Sequence, residues 1–419
     1  MAGEGTAPAA RNIVWRAGRM IVRTPGAGIV LAPPRTAAFA VNAWVRARGK
    51  AAEAELPAPK LSAALAAQVA LDEMMLGAMK SPRRYPTEAD YRRIAAELLA
   101  ARELYGRNGW LENPSLYHRA PPPISPTVRA GWAYGMRFER MSWRSGFEPY
   151  ADEPGRDRWM SYEKNHTMHA WTIRTRPDRP WLICVHGFGV GVPTADFYAF
   201  RAKRLAQELG VNLLFPVLPL HGPRRTGRIG GAEMMTHHLQ QFVLGMAQAM
   251  WDVRSAIGWI REQGGSRVGV YGMSLGAYVA ALLATLEPEL SAVIAGVPIC
   301  DLPRLFHDHS PVSVRRRAEQ FRLFDPEMLS GLGVISPLAA PSIVPAERLY
   351  VYGGLGDRLA TPEQSHALWT HWGKPSNLWY HGSHVAFLWN ADVARFIDGA
   401  LMESLIGGEP EPVRFAKTS

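Results

Sequence analysis

Between Arg267 and Pro288 the chain reads RVGVYGMSLGAYVAALLATLEP, a short β-branched run and a long apolar run joined at a serine that stands between two glycines. The first run, Val268 to Tyr271, has the length and residue types of a buried strand, and LGAYVAALLATL has those of a buried helix. A strand that passes directly into a helix through Ser274 forces a sharp, strained turn and leaves the hydroxyl exposed at its tip. Gly272 and Gly276 then follow sterically, because a side chain at either would collide where the turn passes close to its neighbours.

The surrounding pattern extends this unit. Strands are expected at GMRFERMSW, HAWTIRT, WLICVHG, VNLLFPVLPL, RVGVYG, LSAVIAGVPI, RLYVYGG and SNLWYHG, with helical stretches between most of the later ones. That order predicts an α/β fold with a mainly parallel sheet covered on both faces and entered through an antiparallel pair. Reactive groups in such sheets collect at the carboxyl ends of the strands. The prolines at 121, 122, 123 and 126 exclude a helix or an inner strand, so the sheet domain is placed at 131–407, with residues 1–130 a separate, mainly helical extension. Helices are expected there at Leu61 to Lys80, whose Leu and Met stripe reads as core, and at Glu88 to Tyr105, with Thr87 as N-cap and Asp90 three residues on. The tail 408–419 reads as disordered.

A serine hydroxyl is a poor nucleophile at neutral pH and needs a base within hydrogen-bond reach, itself oriented by an acid. Downstream, RLYVYGGLGDRLATP sets Asp357 just past a strand end, and SNLWYHGSHVAF sets His384 past the next. The chain order Ser274, Asp357, His384 is the one this elbow architecture requires. Asp301, past the preceding strand, is the competing acid, and His381 the competing base. Backbone N–H donors for an oxyanion are expected from Leu275, directly after the serine, and from Phe188 in WLICVHGFGVG, with Gly189 as the alternative. His186 reads as a structural, hydrogen-bonding histidine.

With these residues in place, the chain from about Gly131 to Gly407 resembles the α/β-hydrolase superfamily in its esterase and lipase-like branch. Four ordered motifs carry the resemblance: HGFG, GMSLG, GGLGD and GSH. It implies an eight-stranded, mostly parallel sheet, a triad of Ser274, Asp357 and His384, and hydrolysis of a carboxylic ester through an acyl-enzyme. Thioesterase, acyltransferase and peptidase share that chemistry, and a catalytically silent binding protein shares the fold. In VLPLHGPRR, Val217 and Leu220 replace the Asp and first Gly that many relatives carry. A small cap is expected at about 302–346, roofing the site, with Phe306 and Phe321 as candidate acyl-pocket residues and Arg224 as a candidate anion-attracting residue at the mouth.

Composition excludes other classes. The net charge of +10 resides mostly in the first fifty residues, where eight Arg or Lys face the single acid Glu4, but no zinc spacing, RNP-like run or recognition-helix pattern points to nucleic acid. Spacing instead gathers Asn12, Arg16, Arg19 and Arg23 on one side of a helix, so residues 12–50 are expected to touch an anionic membrane peripherally. The arginines interrupt what a signal peptide would need to be apolar, and no apolar run is long enough to span a bilayer. Cys184 and Cys300 lack disulfide or metal spacing, so a cytoplasmic protein is expected. No metal or other cofactor is expected: His237 and His238, adjacent on an expected helix, point about 100° apart, and His307 with His309 has no Glu or Cys companion at a recognised spacing.

Overall fold

The computed structural model describes residues 27–48, 55–79, 86–235 and 238–407. The stretch carrying Asn12, Arg16, Arg19 and Arg23, the expected tail 408–419 and His237 lie outside them.

Among the described residues, nine strands form one sheet in the order β1-β2-β3-β5-β4-β6-β7-β8-β9. These are β1 Thr127–Ala133, β2 Met136–Arg144, β3 Thr167–Ile173, β4 Trp181–Val185, β5 Asn212–Pro216, β6 Val268–Met273, β7 Leu290–Gly296, β8 Leu349–Gly354 and β9 Ser376–Tyr380. The pairs β1/β2, β2/β3 and β3/β5 are antiparallel, and every pair from β5/β4 onward is parallel. This is the α/β-hydrolase fold, with nine strands where eight were expected.

The additional strand is β1. It pairs with β2 alone and is exposed over most of its length, so it carries no hydrophobic alternation to betray it. It also begins one residue after Pro126, and an edge strand is the one sheet position that tolerates neighbouring prolines. The change of pattern placed at residue 130 therefore falls inside a strand.

Strands β4, β5 and β6 are buried on both faces, as their unbroken apolar sequences require. Two cores flank them. One packs α4 Leu239–Glu262 and α5 Leu275–Leu283 on one face, and the other packs Phe197, Phe200, Tyr352 and α9 Ala391–Ala400 on the opposite face.

The amino-terminal helices are α1 Ala27–Arg48, α2 Ala63–Met79 and α3 Glu88–Arg107. α3 begins with the anticipated capping box, in which Thr87 and Asp90 satisfy each other's backbone N–H groups. α2 departs from expectation: Leu71, Met74 and Met75 are exposed, and its buried stripe is Leu65, Val69, Asp72 and Leu76. The spacing is helical, but the face is rotated so that two carboxylates, Asp72 and Glu73, are buried with it.

Between β7 and β8 lie α6 Leu302–His309 and α7 Val312–Gln320. Ala318 and Leu323 pack with Tyr91, Ile94 and Leu98 of α3 in a small separate core, so the insertion and the amino-terminal extension support each other. The remaining helix used below, α8 Pro362–His371, follows β8.

Candidate active site

Ser274 stands where β6 ends and α5 begins, with φ 56° and ψ −115°, a conformation that side-chain-bearing residues rarely adopt and that costs about 1–3 kcal/mol. The surroundings enforce it. The Ser274 N–H donates to Gly296 O of β7 at 2.9 Å, and the Ser274 carbonyl accepts from Ala277 N at 3.0 Å. A Cβ on Gly272 would come within 2.0 Å of Gly276 O, and one on Gly276 within 1.9 Å of Val185 O. Glycine at both positions is therefore a steric necessity of the turn.

Asp357 and His384 meet past the ends of β8 and β9. The Asp357 Oδ2 to His384 Nδ1 distance is 2.6 Å, and both side chains are buried. Asp357 Oδ1 accepts from Leu359 N and Ala360 N at 2.8 Å each, which fixes the carboxylate. The two loops are themselves joined, since Gly356 N–H donates to Gly382 O at 2.9 Å. Burial disfavours the imidazolium of His384, but the charge and hydrogen bond of Asp357, with the charge of Asp72, outweigh it and raise the pKa above its ordinary value. With Nδ1 directed at Asp357, Nε2 is the nitrogen left to accept a proton. Among the described residues no hydrogen bond joins the Ser274 hydroxyl to His384; such contacts commonly tighten only when substrate is bound.

Leu275 opens α5, where the first N–H groups have no intrahelical acceptor. The loop after β4 passes beside the elbow: a Cβ on Gly187 would lie 3.5 Å from Ser274 Cβ. Phe188 is the next residue, half-buried with its ring edge-on to His221. His186 Nε2 accepts from Leu218 N at 3.1 Å and its Nδ1 lies 2.8 Å from Gly187 O. Burial lowers its pKa to about 4, so it stays neutral and holds the loop.

The competing residues are occupied elsewhere. Asp301 caps α6 by accepting from Arg304 N, and His381 Nδ1 accepts from Lys60 N at 3.2 Å. His309 lies 2.7 Å from Leu359 O.

Three expectations about the substrate pocket fare differently. Arg224 is not at a mouth: it is completely buried, paired with Asp252 at 2.8 Å and donating to Val217 O and Asn165 O. Its charge is spent inside the fold. Phe321 stacks on Tyr91 of α3, ring centroids 5.4 Å apart, and packs against the small core that the insertion shares with the amino-terminal extension. Phe306 is half-buried against the larger core.

Sequence reasoning missed the contribution of α2. Asp72 Oδ2 accepts from His384 N at 2.9 Å and from Arg358 N at 3.0 Å. Gln68 accepts from Ser383 N at 3.3 Å, and Glu73 pairs with Arg358 at 2.9 Å. Leu65 and Val69 lie against Gly356. The available signal was that Asp72 and Glu73 are the only charges in AALAAQVALDEMMLGAM, an acidic pair in an otherwise uncharged, apolar helix.

Among the described residues no group of three or more His, Cys, Asp or Glu side chains is arranged to hold a metal ion, and no helix is long and apolar enough to cross a membrane.

No protein-family model matches the chain. It is 39% identical over 383 residues, 90% of its length and 92% of theirs, to two Mycobacterium tuberculosis proteins. These are Uncharacterized protein MT2702 of strain CDC 1551 / Oshkosh and Uncharacterized protein Rv2627c of strain ATCC 25618 / H37Rv. Among solved structures it is similar to acetyl xylan esterase 1 from Thermoanaerobacterium sp. JW/SL YS485, at 16% identity and a TM-score of 0.44, over 70% of this chain and 98% of that one. It is also similar to an acetyl xylan esterase from Paenibacillus sp. R4, at 15% identity and a TM-score of 0.42, over 73% and 92%. A third is Pyrococcus horikoshii acylaminoacyl peptidase, at 14% identity and a TM-score of 0.41, over 69% and 43%.

Proposed function

We propose that this chain, which belongs to the family of the two mycobacterial proteins, is a serine hydrolase that cleaves a carboxylic ester through an acyl-enzyme. The observation that supports the reading best is the 2.6 Å Asp357–His384 contact at the carboxyl ends of the parallel strands, the same end at which Ser274 is held in its strained turn. Neither feature has an evident structural use alone: a buried His–Asp pair and a backbone at positive φ both cost stability, and together they supply what a serine nucleophile needs.

In the proposed reaction Ser274 Oγ attacks the ester carbonyl while His384 Nε2 takes its proton. The oxyanion is met by the N–H groups of Phe188 and Leu275, and Asp357 holds the imidazole tautomer and stabilises the imidazolium. His384 returns the proton to the leaving alcohol, and a water activated by the same imidazole then releases the acid and restores Ser274.

The test is fluorophosphonate labelling beside a panel of nitrophenyl esters from acetyl to palmitoyl, with a thioester in parallel. Wild type is expected to label at Ser274 and to hydrolyse at least one ester, and Ser274→Ala to lose labelling and at least about 10⁴-fold of the rate. A wild type that neither labels nor turns over any member of the panel would leave a silent hydrolase fold.

Peripheral contact with an anionic membrane belongs to the same proposal. α1 leaves Val41, Trp44 and Val45 exposed on one helical face, within the segment whose sequence carries the excess of basic residues. Equal co-sedimentation with anionic liposomes with and without residues 1–50 removes it.

A further inference from the structure

The buried face of α2 holds Leu65, Val69 and Leu76 with two acids, Asp72 and Glu73; Glu73 is neutralised by the Arg358 guanidinium at 2.9 Å, whereas Asp72 has no basic side chain paired with it among the described residues. An apolar residue at 72 would pack there at no electrostatic cost, yet the N–H groups of His384 and Arg358 would then be left without an acceptor. Each buried donor so orphaned costs about 1–3 kcal/mol. Those two groups belong to the candidate base itself and to the residue directly after the candidate acid. One carboxylate oxygen thus grips both loops at 2.9 and 3.0 Å, and Gln68 and Glu73 of the same helix grip them again at Ser383 and at the Arg358 side chain.

We infer that Asp72 is a positioning residue of the catalytic centre: its carboxylate, carried in by the amino-terminal helix α2, fixes the backbone of His384 and Arg358 so that imidazole and Asp357 keep their register. The inference rests on the proposed serine-hydrolase reading. It makes the amino-terminal extension part of the active site rather than an appendage, because the candidate triad is aligned only while α2 is seated.

The geometry separates two contributions. The acceptor function is available to any carbonyl oxygen, so asparagine preserves it. The charge is not. Asp72 Oδ1 is buried and, among the described residues, has no hydrogen-bond partner, so its negative charge is shielded little. Around it stand Asp357, His384 and Arg358, with Glu73 taking up the Arg358 side chain and Tyr380 also within electrostatic reach. Burial and then the repulsion of Asp357 raise the Asp72 pKa to about 6, against the opposing effect of His384 and the two N–H donors. At neutral pH the ionised Asp72 adds to Asp357 in stabilising the imidazolium.

The experiment compares full-length wild type, Asp72→Asn and Asp72→Ala. Readouts are kcat and KM per fluorophosphonate-titrated site, and the His384 imidazole titration followed by NMR, assigned by subtraction with His384→Gln. For Asp72→Asn, kcat is expected to stay within about 3-fold of wild type while the His384 pKa falls by at least about half a unit. For Asp72→Ala, kcat is expected to fall about 10–100-fold with KM within about 3-fold, the signature of misplaced groups rather than lost substrate contacts. A general loss of stability lowers the titrated fraction and leaves both readouts where they were. Wild-type kcat per site in Asp72→Ala, or an unmoved His384 pKa in Asp72→Asn, overturns the inference. If the alanine variant does not fold, the asparagine titration decides. If wild type neither labels nor hydrolyses, the hydrolase reading fails on its own evidence, and the His384 titration still decides whether Asp72 acts on that imidazole.

Discussion

Arg224 and Asp252 form an ion pair of 2.8 Å in which neither side chain reaches solvent. The pair lies beneath the loop after β5, where Arg224 also donates to Val217 O and Asn165 O and Asp252 accepts from Ser145. Asp252→Ala leaves a guanidinium buried without its counter-charge, which is expected to cost about 3–5 kcal/mol in urea unfolding. Asp252→Leu with Arg224→Met together should cost clearly less than the sum of the two single changes. Additive losses would show that the charges do not depend on each other. KM per active site should be unchanged in whichever variants fold.

If His384 is the base of the proposed reaction, its raised pKa sets the acid limb of that activity. A protonated imidazole cannot take the serine proton, so kcat/KM should fall as pH drops through the His384 pKa. Because Asp357 and Asp72 outweigh burial, that midpoint is expected above the ordinary 6.5. In Asp357→Asn the largest stabilisation of the imidazolium is gone, so the limb should move to lower pH while the rate falls by about 10⁴. A wild-type limb centred at or below 6.5 contradicts the assignment.

What could be read from the sequence was what local sterics and two-sided burial write there. The inner strands are continuous apolar runs because both faces are covered, and the Ser274 turn is legible because Gly272 and Gly276 are fixed by atoms a few residues away or in the adjacent strand. Asp357 and His384 could be singled out as candidates because each follows a strand end. Long-range partners leave no such trace. Arg224 looks like any basic residue until Asp252, from a helix farther along the chain, is folded against it. The exposed β1 has no periodicity to detect, and Phe321 reads as pocket lining until Tyr91 is found beneath it. Asp72 was hidden by the Met stripe: Met74 and Met75 suggested a buried face that the structure turns to the outside.

Asp196 should make stability depend on pH. It is buried, accepting from Gly191 N at 3.3 Å and Trp171 Nε1 at 3.2 Å, and burial raises its pKa to about 7 despite those bonds. Between the unfolded carboxylate value of about 4 and the folded value, the native state binds the proton and the unfolded chain does not. Stability from this group is therefore greatest at low pH and declines as pH rises through that window. Asp196→Asn cannot ionise, so its disadvantage relative to wild type in urea unfolding should shrink between pH 4.5 and 8, by about 1 kcal/mol or more. A constant difference across that range means that Asp196 is already ionised in the fold at low pH.

The glycines around Ser274 should rank by what a methyl group meets. In Gly276→Ala the new carbon would sit 1.9 Å from Val185 O, and in Gly272→Ala 2.0 Å from Gly276 O; both partners are backbone atoms of the sheet and turn and cannot step aside. These variants are expected to lose soluble folded protein or about 3 kcal/mol or more. Gly189→Ala meets no atom within 4 Å but has φ +80°, so it should cost only the roughly 1 kcal/mol of an unfavourable backbone. Gly187→Ala is the informative case. Its methyl would make ordinary contacts, 3.4 Å to Met273 O and 3.5 Å to Ser274 Cβ, so stability should stay within about 1 kcal/mol. That same methyl stands beside the serine, where the proposed reaction puts an acyl carbonyl between Oγ and the proposed donors Phe188 and Leu275. Fluorophosphonate labelling of Gly187→Ala is therefore expected to slow by at least about 10-fold with melting temperature nearly unchanged. Labelling at the wild-type rate would show that the acyl group approaches Ser274 from another side and would remove Phe188 from the oxyanion site.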